Sequence, residues 1–177
     1  AVDTHLSSPQ RIVILGGGAL ALAYNSDYRT HDIDLWHTPS QKVSRACVAA
    51  REETGLHVPL EGSGVSDAPY NSEDRLVRVL PELRHLEVLV FDQYDVSLSK
   101  IVRGFRKDTD AIYETHLRNP LDETTLVDRY LSEMDHITGN LQAVDQHFVI
   151  LIDLLYGPVE ADRVRDMLPV RRKGKHR

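Results

Sequence analysis

Cysteine is almost absent. The 177-residue chain has one, Cys47, which excludes an internal disulfide framework and a zinc site built from several cysteines. A reducing compartment, the cytoplasm, is therefore expected. No apolar run reaches the roughly 18 residues of a membrane span, so no membrane partner is expected. The opening residues Ala1-Val2-Asp3-Thr4-His5 hold no cationic stretch followed by an apolar core, and no signal peptide is expected there. The nine histidines show no pair of the His-x₃-His kind, which leaves out the commonest helical metal spacing. Tryptophan occurs once, at Trp36, and reads as core.

Basic residues are the minority, 21 against 27 acidic, for a formal charge of −6. Residues 171–177 carry five of the basic residues and no acid, so the body before them is more acidic still. Such a body is a poor general binder of nucleic acid, whose phosphates need clustered cations. The tail reads as a disordered, solvated end or as a contact to RNA or a partner.

The first periodic element is Arg11-Ile12-Val13-Ile14-Leu15, a β-branched run that reads as a buried strand. Gly16-Gly17-Gly18 ends it, and the strong helix former Ala19-Leu20-Ala21-Leu22-Ala23 follows. Asp32-Ile33-Asp34-Leu35-Trp36 then alternates polar and apolar, as a half-buried strand does. Thr38-Pro39-Ser40-Gln41 predicts a helix start, with Thr38 as N-cap, Pro39 in the first turn and Gln41 completing a capping box. Gly55 predicts its end. Residues 56–73 read as a long loop with a short strand at 56–60. Leu86-Glu87-Val88-Leu89-Val90-Phe91 is a third strand. Helices are expected at 94–103, 109–117, from Asp122 through Ile137, and over 144–156. The expected fold is α/β (α+β), a small mixed sheet with helices over residues 1–98, then a helical bundle over 99–170 and the tail 171–177.

Asp32 and Asp34 share one face of their strand, with Cα atoms roughly 7 Å apart. Two like charges side by side repel, and a divalent cation removes the repulsion. Mg²⁺ takes one or two carboxylates together with substrate phosphates. The glycine turn exposes backbone N–H groups at a helix start, where an anion is favoured. A tight turn needing positive φ explains it as well. A phosphate cradle followed by a carboxylate pair is what metal-dependent phosphoryl chemistry needs.

Gly17-Gly18, a thirteen-residue spacer and Asp32-Ile33-Asp34-Leu35 resemble the signature of the polymerase-beta nucleotidyltransferase superfamily. The wider string, residues 15–22 followed by Arg29-Thr30-His31-Asp32-Ile33-Asp34, resembles the bacterial AbiEii-type toxin nucleotidyltransferases and their relatives. A second block, residues 94–104 followed by Arg106-Lys107-Asp108, is similar to the family's lysine-bearing helix and its Arg/Lys-Asp motif. Relatives carry an acid three residues after that Asp; Ala111 stands there in this chain.

The resemblance implies a nucleotidyltransferase that uses Mg²⁺ or Mn²⁺, takes an NTP, and moves a nucleoside monophosphate to a hydroxyl of an RNA end or a protein. A toxin–antitoxin or phage-defence setting, with a cognate toxin or antitoxin as partner, is implied too. Asp32 and Asp34 would hold the metal. Gly17 and Gly18 would lie against the triphosphate, and Arg29 and Lys100 would neutralise phosphates or align the base. Thr30 braces the start of the acidic strand or belongs to its loop. Asp108 orients Lys100 or caps the following helix. The implied third carboxylate is assigned to Glu87, with Asp92 next and Glu61 and Glu73 behind; a solvent-facing Glu87 is the plainer alternative. Without a third carboxylate, the protein would be a catalytically silent binder of a nucleotide or partner. A Rossmann-type use of the glycines is disfavoured by the doubled carboxylate and by the lack of later alternating strands and helices.

Overall fold

The computed structural model describes residues 1–25, 27–57, 59–62 and 67–168. The tail 171–177 lies outside the described residues. Two compact units emerge, Ala1–Ser66 with Ser72–Asp92, and Asp67–Asn71 with Gln93–Arg177.

The first unit is built on a five-stranded mixed sheet of order β3-β2-β1-β5-β4. Its strands are β1 (Gln10–Ile14), β2 (Ile33–Leu35), β3 (Leu60–Gly62), β4 (Val77–Val79) and β5 (Leu86–Val90). β1 runs parallel to β5, with Ile12 opposite Val88 and Ile14 opposite Val90. It runs antiparallel to β2, with Ile14 opposite Leu35. Val13, Ile14, Leu35, Val88 and Val90 are buried, which explains the near-continuous apolar reading of the central strands. β3 starts four residues later than the 56–60 reading, and β4 was not foreseen. Both have three residues, too few to show a period.

After β1 comes α1 (Gly16–Ala19), which passes into one π turn at Leu20–Tyr24. Tyr24 then donates its hydroxyl to the carbonyl of Phe91 at 3.0 Å. α2 (Gln41–Thr54) starts later than expected. Its N-cap is Ser40, whose Oγ accepts the N–H of Val43, so Thr38 and Pro39 lie before the helix. Gly55 ends α2 in the left-handed region at φ 70°, as expected. α2 buries Val43, Ala46 and Ala50. Asp3, in the short turn Val2–His5 packed on α2, accepts the backbone N–H groups of Arg84, His85 and Leu86. That ties the chain start to the head of β5.

The second unit is helical: α3 (Gln93–Arg103), α4 (Arg106–Arg118), α5 (Glu123–Glu133), α6 (Leu141–Tyr156) and α7 (Pro158–Met167). Asp122 and Asn140 cap α5 and α6 with their side chains, and Gly157 ends α6 with Pro158 opening α7. Leu98, Ile112, Leu126, Phe148, Leu151 and Ile152 centre its core. Tyr130 stacks on Phe148 with ring centroids 3.8 Å apart. Among the described residues no helix is long and apolar enough to cross a membrane.

Candidate active site

The glycines and the carboxylates meet at one end of the sheet. Gly16 has φ 64°, and a Cβ on it would lie 2.5 Å from Oδ2 of Asp34. Only glycine supplies that backbone without strain and lets the carboxylate lie so close. A Cβ on Gly17 would lie 2.9 Å from Oγ1 of Thr30. Thr30 in turn donates to Oδ1 of Asp32 at 2.9 Å. The turn is thus shaped around the acidic strand and the threonine that holds it.

β2 carries Asp34 into register with Glu61 on the parallel strand β3. Adjacent in-register residues share a face, so Glu61 joins the aspartates. One ligand oxygen from each of Asp32, Asp34 and Glu61 lies within 4.8 Å of the others. Asp32 and Asp34 are half-buried and Glu61 is exposed. An octahedral Mg²⁺ with bonds of about 2.1 Å holds oxygens about 3 to 4 Å apart. The three carboxylates fit such an ion with a small inward movement, and their hard oxygen donors suit it.

Glu87 does not join them. It sits opposite Arg11 in the β1–β5 register, is exposed, and has Oε2 4.0 Å from Nε of Arg11. Alternation puts it on the face of Asp34, but four residues further along β1, roughly 13 Å by strand rise. The third carboxylate beside the aspartates is therefore Glu61 rather than Glu87. Asp92 and Glu73 also stand outside the group. Glu73 instead accepts the indole N–H of Trp36 at 2.8 Å.

Arg29 is exposed, and its guanidinium donates to the carbonyl of Tyr28 at 3.3 Å. In the second unit, Lys100 is buried and donates to Oδ1 of Asp108 at 2.9 Å. Arg103 donates to the same oxygen at 2.8 Å. Asp108 therefore orients Lys100. It does not cap α4, whose N-cap is Phe105. Oδ2 of Asp108 is buried with no partner among the described residues. Ala111, where an acid was expected, is buried in α4, a place that favours a small apolar side chain.

Residues 1–152 match the sequence model of a family described as nucleotidyltransferase of unknown function (DUF6036). The chain belongs to that family. The match takes in the glycine turn, all three clustered carboxylates, and the Lys100–Asp108 pair. No curated protein and no solved structure matches this nucleotidyltransferase. Sequence reasoning undervalued Glu61 because its strand is buried in a polar stretch. The one local signal was an acid between Leu60 and Gly62, two residues after Pro59.

Proposed function

We propose that this nucleotidyltransferase is metal-dependent and moves a nucleoside monophosphate from an NTP to a hydroxyl of an RNA or protein, releasing pyrophosphate. The observation that carries the reading is the convergence of Asp32, Asp34 and Glu61 within 4.8 Å beside the glycine turn. A bound Mg²⁺ or Mn²⁺ would screen the phosphates and polarise the α-phosphoryl group.

The chain's own groups do the positioning on which phosphoryl transfer depends. Asp32, Asp34 and Glu61 gather oxygen donors at one point. Thr30 fixes the rotamer of Asp32. Gly17 and Gly18 lack side chains where Thr30 and Ile14 pack against the turn, which leaves the backbone N–H groups of the turn as its anion donors. Arg29, exposed beside this loop, offers charge to the phosphates. Lys100 is held by Asp108 in a fixed rotamer in the second unit. The earlier resemblance supports a toxin–antitoxin or defence setting in a bacterial cytoplasm.

Incubation of the protein with each labelled NTP, Mg²⁺ or Mn²⁺, and total RNA or lysate tests this. Label transferred to a macromolecule, lost on Asp34→Asn, is the expected result. NTP binding with no transfer to any acceptor would instead make the protein a silent binder.

A further inference from the structure

A cleft of about 100 Å³ opens on the first unit beside β1 and the end of β2, lined by Arg11, Val13, His37, Thr38 and Glu73. Its wall is braced. Trp36 donates its indole N–H to Oε1 of Glu73 at 2.8 Å, and Nε2 of His37 lies 3.5 Å from the same oxygen. The indole ring rests on Phe91 with centroids 5.2 Å apart.

The place of this cleft relative to the carboxylates follows from the register. Leu15 N–H donates to the Asp34 carbonyl and Trp36 N–H to the Val13 carbonyl, flanking the Ile14–Leu35 pair. Asp34, Val13, Arg11 and Trp36 therefore share one face of the sheet. Gly16 lies against Asp34 at one end of this row. Trp36 lies two residues beyond Asp34 at the other, about 7 Å along β2.

In-line transfer needs the attacking oxygen and the leaving oxygen on opposite sides of the reacting phosphorus. With the triphosphate at the glycine turn, pyrophosphate departs on the Gly16 side. The acceptor hydroxyl then has to arrive from the side of Trp36. That is where the cleft is.

We propose that this cleft is part of the acceptor subsite and that it takes the phosphate of an acceptor ribonucleotide, held on Arg11, whose free hydroxyl reaches toward the carboxylates. The inference rests on the nucleotidyltransferase reading and names its acceptor. Arg11 is half-exposed and its planar fork matches a phosphate. His37 and Thr38 add donors, and Glu73 accepts from a base or ribose group. A seryl or tyrosyl side chain brings no phosphate for Arg11. In the reaction the acceptor oxygen bonds to the α-phosphorus, and the bond from that phosphorus to the α,β-bridging oxygen breaks. Pyrophosphate leaves with the electron pair. The hydroxyl proton passes to one of the clustered carboxylates and on to solvent, and the acceptor gains one phosphodiester-linked nucleotide.

Trp36, the one tryptophan, donates to Glu73 of the cleft wall and reports on the cleft through that contact. Its emission should change saturably when AMP, or a short oligoribonucleotide with a free 3′ end, is titrated in without NTP. Arg11→Gln should weaken both at least tenfold, and His37→Ala, at another exposed position, at least threefold. Mg²⁺–NTP binding to Arg11→Gln, measured by calorimetry, should stay within twofold of wild type. Tighter binding of the oligonucleotide than of AMP would identify an RNA end as the source, and equal binding a free nucleotide. An emission unmoved by millimolar nucleotide, unchanged affinity in both variants, or a response only to a hydroxyl-bearing peptide would overturn the proposal. Failure of the nucleotidyltransferase reading would show separately, as no metal-dependent NTP binding that Asp34→Asn weakens.

Discussion

The two units treat their acidic side chains in opposite ways. In the helical unit each buried carboxylate among the described residues has a partner on at least one oxygen. Asp95 meets Arg129 at 3.1 Å, Asp108 meets Lys100 and Arg103, and Asp145 accepts the Tyr130 hydroxyl at 2.7 Å. In the sheet unit, Asp32, Asp34 and Glu61 are drawn toward one another. Matched burial is what a fold needs, since a buried charge without a partner is costly. Gathering like charges gains the fold nothing, so it marks a place shaped for something other than stability. The contrast separates scaffold from site without reference to any relative.

The sharpest way to break this contrast is to remove one acid from each kind of group. Asp34→Asn should lower label transfer by about a thousandfold or more, as loss of a key electrostatic group does, with a melting temperature in metal-free buffer equal to or above wild type. Asp108→Ala should do the reverse to the fold. It strands the buried Lys100 and should cost about 3–5 kcal/mol in urea unfolding. If Asp34→Asn destabilised the protein as Asp108→Ala does, the carboxylate cluster would be structural and the contrast would fail.

A smaller effect is expected at Gly16. Gly16→Ala places a methyl against Asp34 and forces an L-residue to φ 64°, a strain of about 1–2 kcal/mol. Its transfer activity should fall further than its stability, because Asp34 is what the methyl displaces. Gly55 has a similar φ of 70° with nothing within 4 Å of a Cβ. Gly55→Ala should show the loss of stability alone, and equal activity losses in both variants would refute the close approach.

The smallest effects concern acid. Asp3 in the sheet unit has its carboxyl held below the usual range by the N–H groups of Arg84, His85 and Leu86. Asp122 in the helical unit is held down by the N–H and hydroxyl of Thr125. A lowered native pKa means stability that is present above the unfolded value of 3.8 and lost as pH falls through the native one. Unfolding midpoints measured from pH 6 to pH 2 should therefore decline less steeply in Asp3→Asn and in Asp122→Asn than in wild type.

The central strands, most of the helices and one half of the site were legible because they rest on local signals, whereas β4 and α7 were not foreseen. Asp32 and Asp34 showed their common face through a period of two, and the glycines showed a turn. The helix start at Asp122 and the stop at Gly55 bounded helices by chemistry confined to a few residues. Glu61 was another matter. Its position depends on pairing with β2 across the whole of α2, and a three-residue strand has no period to announce it. Glu87 was the complementary error. Alternation says which face a side chain takes but not which end of the sheet it occupies, and only the β1–β5 register supplies that. Thr38 was expected to cap α2, and only the Val43 N–H, accepted by Ser40, shows that the helix starts later.

The central pairing of the sheet also governs when the protein can fold. β1 is made near the beginning of the chain, yet its parallel neighbour starts at Leu86, opposite Gln10. During synthesis the hydrophobic strand Gln10–Ile14 must wait, unpaired on that side, until β5 has left the ribosome. Closing so long a loop is entropically slow, while α6 and α7, adjacent along the chain and packed together, need no such wait. Pulse-labelled hydrogen exchange during refolding should therefore protect the amides of α6 before those of β1. The glycine turn and its carboxylates, hung from the end of β1, would then be among the last parts of the chain to take shape.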